Sequence, residues 1–435
     1  KPMEASANWN AYDAEDMVRS DRDYLWHHLK PHKVFQSAEQ MIIVEGRGLR
    51  VTDIRGKEYL DATSGGVWSV MVGHGRESIA KAIYDQLITL GYYAGSVGNI
   101  PTIKFAAKLV ELLPNLDKVY FSNSGSEANE KAFKIIRQLS HIDPERKGKY
   151  KILYRDRDYH GTTIGALSAT GQHQRKQDFG PFAEGFAEFP HALCYRCPFD
   201  KSYPGCDIDC ARSLEAVILK EGPESIGGCI VEPITAGGGI IVPVPEYYPI
   251  LQEICNKYGI YLIMDEVVCG FGRTGKFWGF EQYDVDPDMV TMAKGLASSY
   301  MPLSATVTRQ AIYDKFLCDP SNPEEAVNYF RDISTYGGCA GATVAALEST
   351  RIIEAENLVE NSRVVGAYML ESLQALSDMP MVGHVRGKGL FCGLELVKDN
   401  ATKEPITEAE MGRIMGLVAA EGVLIGRTNS SLPGN

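Results

Sequence analysis

The chain has 435 residues, 44% of them hydrophobic and 23% charged, and carries a formal net charge of −12. That balance describes an ordinary globular protein with room for a large core. It excludes nucleic acid and anionic membrane as main partners, because a surface this negative repels both.

No apolar run approaches a membrane span, and no signal-peptide pattern opens the chain. The ten cysteines spread over this length read as reduced thiols in a cytoplasmic enzyme, not as a disulfide framework. Residues 38–62 alternate apolar and polar around glycines, which predicts an antiparallel hairpin or meander. From about 115 to 310 short apolar runs alternate with amphipathic ones. KVYFSN (118–123) reads as a strand, and SGSEANEKAFKIIRQL as a helix burying Ala128, Ala132, Ile135, Ile136 and Leu139 on one face. KILYR (151–155), GGCIVEP (227–233), IYLIMDE (260–266) and DMVTMAK (288–294) are strands of the continuous, doubly covered kind. Residues 246–259 form a helix stopped by Gly259. Residues 348–377 carry one long helical pattern, then short strands in MVGHVRGKGLFCGLELV and a strand-like GVLIG close to the end, after which the natural chain is expected to continue.

This order predicts an α/β protein. A large domain over 70–330 holds a mostly parallel sheet with helices on both faces. Residues 1–69 and 331–435 form a small α+β domain from both chain ends.

DEVVCGFGRTG (265–275) contains Gly270-x-Gly272-x-x-Gly275, the spacing of a dinucleotide loop. Such a loop must open a helix whose N-terminus holds the pyrophosphate. KFWGFEQYDVDPD follows instead, without helical periodicity, so the glycines are not a nucleotide loop. The informative residue is Asp265, at a strand's carboxyl end, where open α/β sheets bind ligands. Asn123 to Ser126, Tyr159, His160, Glu232 and Lys294 come to the ends of other strands. Each alone is most often a cap or a loop charge; their convergence marks a site. A lysine ending an apolar strand loses its proton by desolvation and serves as an amine nucleophile. A carboxylate keeps the ring nitrogen of pyridoxal phosphate protonated, so that the ring draws electrons from a substrate carbon. Asp265 and Lys294 suit those two roles. Gly125 and Ser126 at a helix start offer main-chain N–H groups to a phosphate, and Tyr159 offers a ring for stacking.

With these motifs the chain resembles the class III aminotransferases of the fold-type I, pyridoxal-phosphate-dependent superfamily. The resemblance runs through YLDATSGGVW, SNSGSEANE, YHG, VEPI, DEVVCGFGRTG, MAKGL and TYGG. It implies that Lys294 carries the cofactor and moves the proton, and that Asp265 meets the ring nitrogen. Val267 packs beneath the ring, Tyr159 stacks above it, and Gly125 and Ser126 hold the phosphate. Thr335 reaches that phosphate from the neighbouring subunit, which implies a homodimer with shared sites, or a tetramer of such dimers. Two positions depart from the family: Asp332 and Ala340 stand where His and Pro are frequent. YLWHHLKPHKVF, SGGVW and YRCPFD are similar to the subgroup of taurine–pyruvate and related ω-amine:pyruvate enzymes. That likeness implies a ping-pong exchange of an ω-amine, taurine foremost, with pyruvate as the 2-oxo acid acceptor. Trp68 is then a pocket wall, and Arg427 is the arginine for the acceptor carboxylate or a surface residue. Glu232 pairs with Arg427 or caps a turn.

The nearer rivals are transaminases taking β-alanine, 4-aminobutyrate or ornithine with pyruvate or 2-oxoglutarate, an aminomutase, or a decarboxylase of a dialkylated amino acid. A catalytically dead scaffold, with the cysteine cluster as an interaction module, is the alternative of another class, and it would be colourless. Cys194-x2-Cys197-x8-Cys206-x3-Cys210 has a zinc-knuckle look, but its spacings are irregular. Reduced loop thiols are the default there, and zinc analysis of the purified protein is the test.

Overall fold

The computed structural model describes residues 11–38 and 40–428. Its centre is a seven-stranded sheet. Across it run Lys118–Ser122, Ser304–Thr308, Met289–Met292, Tyr261–Asp265, Ile226–Val231, Lys151–Arg155 and Phe186–Phe189. Ser304–Thr308 is antiparallel to both neighbours, and the other pairings are parallel. The strands of Ile226–Val231 and Met289–Met292 are buried throughout. Runs of Ile, Val and Met with no polar alternation require helices on both faces, and the core divides accordingly. Ile152, Ile230 and Ile263 point to one face, against Ala132, Ile136 and Leu139 of the helix Gly125–Ile142. Leu153, Cys229, Val231, Leu262 and Met264 point to the other, against Leu109, Leu251 and Ala345. The helix Tyr247–Tyr258 ends at Gly259, whose φ of 61° admits the left-handed turn.

Residues 43–61 form the expected meander: Ile43–Arg47, Arg50–Asp53 and Glu58–Asp61 pair antiparallel. Val423–Leu424 then adds in parallel beside Glu58–Asp61, so both chain ends meet in one sheet. Val382–Lys388, Phe391–Asp399 and Glu404–Pro405 make a further antiparallel sheet.

The long helix expected over 348–377 is two helices, Ala340–Ala355 and Leu358–Gln374. Asn357, with φ 52°, breaks them, a conformation that Asn tolerates. The first begins earlier than the pattern indicated because it is buried nearly all round near its start, which leaves no polar stripe to read. Two strands were not legible. Ser304–Thr308 is polar in sequence yet wholly buried, its Thr306 hydroxyl donating to the Ala128 carbonyl at 2.7 Å. Phe186–Phe189 is a short edge strand beyond a loop. Ser122, Arg155, Val231, Asp265 and Met292 all end at the same edge of the sheet.

Candidate active site

Asp265 closes its strand at that edge and is 2% exposed. Its Oδ2 accepts from Asn129 Nδ2 and from His160 Nδ1, both at 2.8 Å, and Oδ1 accepts from the Val267 N–H at 3.0 Å. A carboxylate held by three donors keeps one orientation. Asn129, one turn into the helix Gly125–Ile142, also donates to the His160 carbonyl at 2.7 Å. The far ring nitrogen of His160, Nε2, is buried without a partner among the described residues.

Lys294 opens a short turn after the strand Met289–Met292 and has φ 43°. Its Nζ lies 5.8 Å from the centre of the Trp68 ring, and Trp68 meets Phe391 edge-on. Burial pushes the Lys294 pKa below the ordinary lysine value, while Glu232 and Asp265 oppose the shift. A lysine with a depressed pKa reaches its neutral, nucleophilic form at lower pH. The rate at which cofactor-free protein takes up pyridoxal phosphate should therefore fall as pH drops through that depressed value. Stopped-flow absorbance across pH should place the midpoint below 10.5, the ordinary lysine value.

Gly125 starts its helix where a Cβ would stand 3.0 Å from both Val267 methyl carbons and 3.7 Å from Ala293 Cβ. The helix start at Gly125, Val267 and the segment before Lys294 therefore converge. Ser124 caps this helix by accepting from the Glu127 N–H. Ser126 Oγ accepts from the Thr162 N–H at 3.0 Å. Gly161, between Tyr159 and Thr162, has φ 145°, and a Cβ there would sit 2.7 Å from Ala166 Cβ and closer still to Ser126 Oγ. Gly161→Ala should push Ser126 and the Tyr159–His160 turn apart and weaken cofactor binding about tenfold or more. Titration of cofactor-free protein measures it.

Glu232 is 2% exposed and joins two turns, accepting from the Tyr159 N–H at 2.8 Å and the Ala236 N–H at 3.0 Å. Burial, with Asp158 and Asp265 nearby, pushes its carboxyl well above the usual range. Of the two roles open to it in sequence, the structure gives it the cap. Arg427 is exposed at the surface and pairs with Glu408 at 2.9 Å; it does not meet Glu232. Thr335 is exposed, and its carbonyl accepts from the Tyr92 hydroxyl. Next to it, Ser334 Oγ accepts from Asn123 at 3.0 Å. Asp332, one of the two departures, pairs with Lys131 at 2.9 Å and Lys134 at 2.8 Å, which ties this loop to the helix Gly125–Ile142.

Sequence reading gave no role to Asn129 or to the His160–Asp265 bond. A signal existed for the first: Asn129 is a polar residue beside Ala128 on a buried helix face. Cys194, Cys197, Cys206 and Cys210 are free thiols lining one small cavity with Lys201, Tyr203 and Asp209. Burial pushes the Cys210 thiol up to about 11. No three of these sulfurs lie within 4.8 Å of one another. The one group of three ligand atoms that does, among the described residues, is Asp156, His173 and Glu188.

A lysine and an aspartate following neighbouring strands, with a helix start and a tyrosine beside them, fit the fold of a pyridoxal-phosphate-dependent transaminase of fold type I. The aminotransferase class-III family matches residues 34–432, and the chain belongs to it. It is similar to the taurine–pyruvate aminotransferase of Bilophila wadsworthia, 53% identical over 421 residues, 97% of this chain and 91% of that relative. A Bacillus anthracis aminotransferase crystal structure superposes with TM-score 0.91 at 42% identity, over 97% of this chain and 92% of that one. The ω-transaminase of Pseudomonas jessenii, solved in complex with PMP, gives TM-score 0.90 at 33% identity, over 95% and 91%. The cofactor is accordingly pyridoxal 5′-phosphate. The residues fit it: Asp265 offers a fixed carboxylate, Lys294 a desolvated amine, and a side chain at Gly125 would fill the cradle. No helix among the described residues is long and apolar enough to cross a membrane.

Proposed function

We propose that the protein transfers the amino group of taurine to pyruvate, giving sulfoacetaldehyde and L-alanine in a ping-pong exchange. The observation that carries this reading is the 53% identity to a taurine–pyruvate aminotransferase over 97% of the chain. The bound cofactor supplies an electron sink and carries the amino group between the two half-reactions. Lys294 would hold it, and its Nζ would take the proton from the donor carbon that bears nitrogen. Asp265, steadied by Asn129 and His160, holds a proton at the ring nitrogen. Gly125 and Ser126 receive the phosphate at the helix start, Val267 packs beneath the ring, and Tyr159 covers it. Trp68 walls the donor side.

Thr335 reaches the phosphate of a second copy, so the working unit is a homodimer with two shared sites. Leu87, Ile88, Tyr92, Tyr93, Ile100 and Ile333 are exposed apolar side chains of the kind such a dimer covers. The large domain spans 70–330, with a small one built from 1–69 and 331–435, and the enzyme works in the cytoplasm. A screen of taurine, β-alanine, 4-aminobutyrate and ornithine against pyruvate and 2-oxoglutarate tests the substrate pair. The highest kcat/KM should belong to taurine with pyruvate. A preference for ornithine or 4-aminobutyrate with 2-oxoglutarate would overturn it.

A further inference from the structure

A donor with an acid group remote from its amine needs a fixed cation at the far side of the site. Of the cations near the cleft, Lys294 holds the cofactor, and the Nη2 of Arg273 is tied to Ser64 Oγ and Met71 Sδ, both at 2.9 Å, with its Nε buried among protein atoms. Arg427 faces Glu408 at the surface. Arg175 is different. Its guanidinium carbon stands 4.9 Å from the centre of the Tyr159 ring, and Nε donates to Gln172 Oε1 at 2.7 Å. Its two terminal nitrogens have no hydrogen-bond or ion-pair partner among the described residues.

The mounting is rigid. Gln172 is 2% exposed and donates from Nε2 to the Arg157 carbonyl at 3.1 Å. A Cβ on Gly237 would come 3.0 Å from Gln172 Nε2, so this side chain packs on the loop that Glu232 ties to Tyr159. The acid Glu188 lies 3.2 Å from His173 Nε2, with Lys176 also acting on it, and makes no ion pair with Arg175. Arg175 is left with an unused planar fork beside the ring that covers the site. A guanidinium so placed matches an oxyanion group with two parallel N–H bonds, which suits carboxylate and sulfonate alike. Stacking on Tyr159 holds the fork in plane without using those hydrogens.

We propose that Arg175 is the specificity-determining residue that receives the anionic head group of the amine donor. This rests on the transaminase reading above and names the sulfonate of taurine as the group it holds. A head group fixed there leaves the amine end of the donor for Lys294, and an amine without a charged tail gains nothing from Arg175.

The test compares the wild-type holoenzyme with Arg175→Ala and Arg175→Lys, using taurine, β-alanine and the uncharged propylamine as donors, pyruvate as acceptor. Binding of ethanesulfonate, which has no amine to react, is followed by calorimetry. Arg175→Ala should raise the KM for taurine about 10- to 100-fold with kcat within about twofold. It should weaken ethanesulfonate binding by a similar factor and leave propylamine turnover unchanged. Arg175→Lys should recover part of both losses. Equal losses for taurine and propylamine, or an unchanged taurine KM and ethanesulfonate affinity, would overturn the assignment. If Arg175→Ala is not recovered folded, Arg175→Lys decides by the same ratio of taurine to propylamine. If the wild type prefers β-alanine to taurine, the choice of donor is wrong. Arg175 then stands or falls on the β-alanine to propylamine ratio.

Discussion

Lys294→Ala should abolish transamination, lowering kcat by at least about 10⁵-fold, roughly 7 kcal/mol of barrier. The reason is that one amine does two jobs. In the proposed mechanism it tethers the cofactor and also takes the proton from the donor carbon. Its position cannot be taken over by a neighbour. The groups around it are the acids Glu232 and Asp265, the Cys269 thiol and the half-buried Arg273. The protein should also lose the visible absorbance of lysine-bound cofactor. Because Lys294 sits in a left-handed turn with φ 43°, alanine is no better suited there than lysine, so thermal stability should change little. Absorbance spectra and single-turnover kinetics on the same preparation separate the loss of chemistry from a loss of fold.

The second large effect is expected at Asp265. Asp265→Asn keeps the shape and removes the charge, and should lower kcat by about 10³-fold, roughly 4 kcal/mol. Without the carboxylate the ring nitrogen is no longer held protonated, and the ring draws electrons less strongly. The substitution also disturbs the site's own bonding. Asn129 Nδ2, His160 Nδ1 and the Val267 N–H all donate toward this side chain. An amide turns an N–H₂ toward at least one donor, which costs about 1–3 kcal/mol of stability as an unpaired buried group. A cofactor analogue methylated at the ring nitrogen, and so permanently positive, should restore part of the activity to Asp265→Asn. It should do nothing for Lys294→Ala. Equal responses of the two variants would contradict the division of roles.

Much of this frame was legible because it is written in apolar strands ended by single polar residues. The runs before Asp265 and Lys294 have no polar alternation, so they read as buried strands, and their ends point to one edge. The helix after SNSGSEAN was legible from its apolar spacing and its serine cap. What stayed hidden has physical causes. Ser304–Thr308 is a buried strand built largely from Ser and Thr, with the Thr306 hydroxyl bonded to a carbonyl of the helix beside it. Composition pointed to the surface. The bond between His160 and Asp265 joins residues 105 apart, and no local pattern reports it. Arg175 lies in GQHQRK, which reads as a solvated charge run until the fold brings it over Tyr159. The pairing of Asp332 with Lys131 and Lys134, which holds this loop to the helix Gly125–Ile142, likewise joins residues about 200 positions apart.

The central claim is that Asp265 and Lys294 face opposite ends of one pyridoxal ring. A crystal structure of the protein grown with pyridoxal phosphate measures it most directly. Density should run unbroken from Lys294 Nζ into the cofactor, with the ring nitrogen within hydrogen-bond distance of the Asp265 carboxylate. Cofactor density elsewhere, or a ring nitrogen turned away from Asp265, would contradict it.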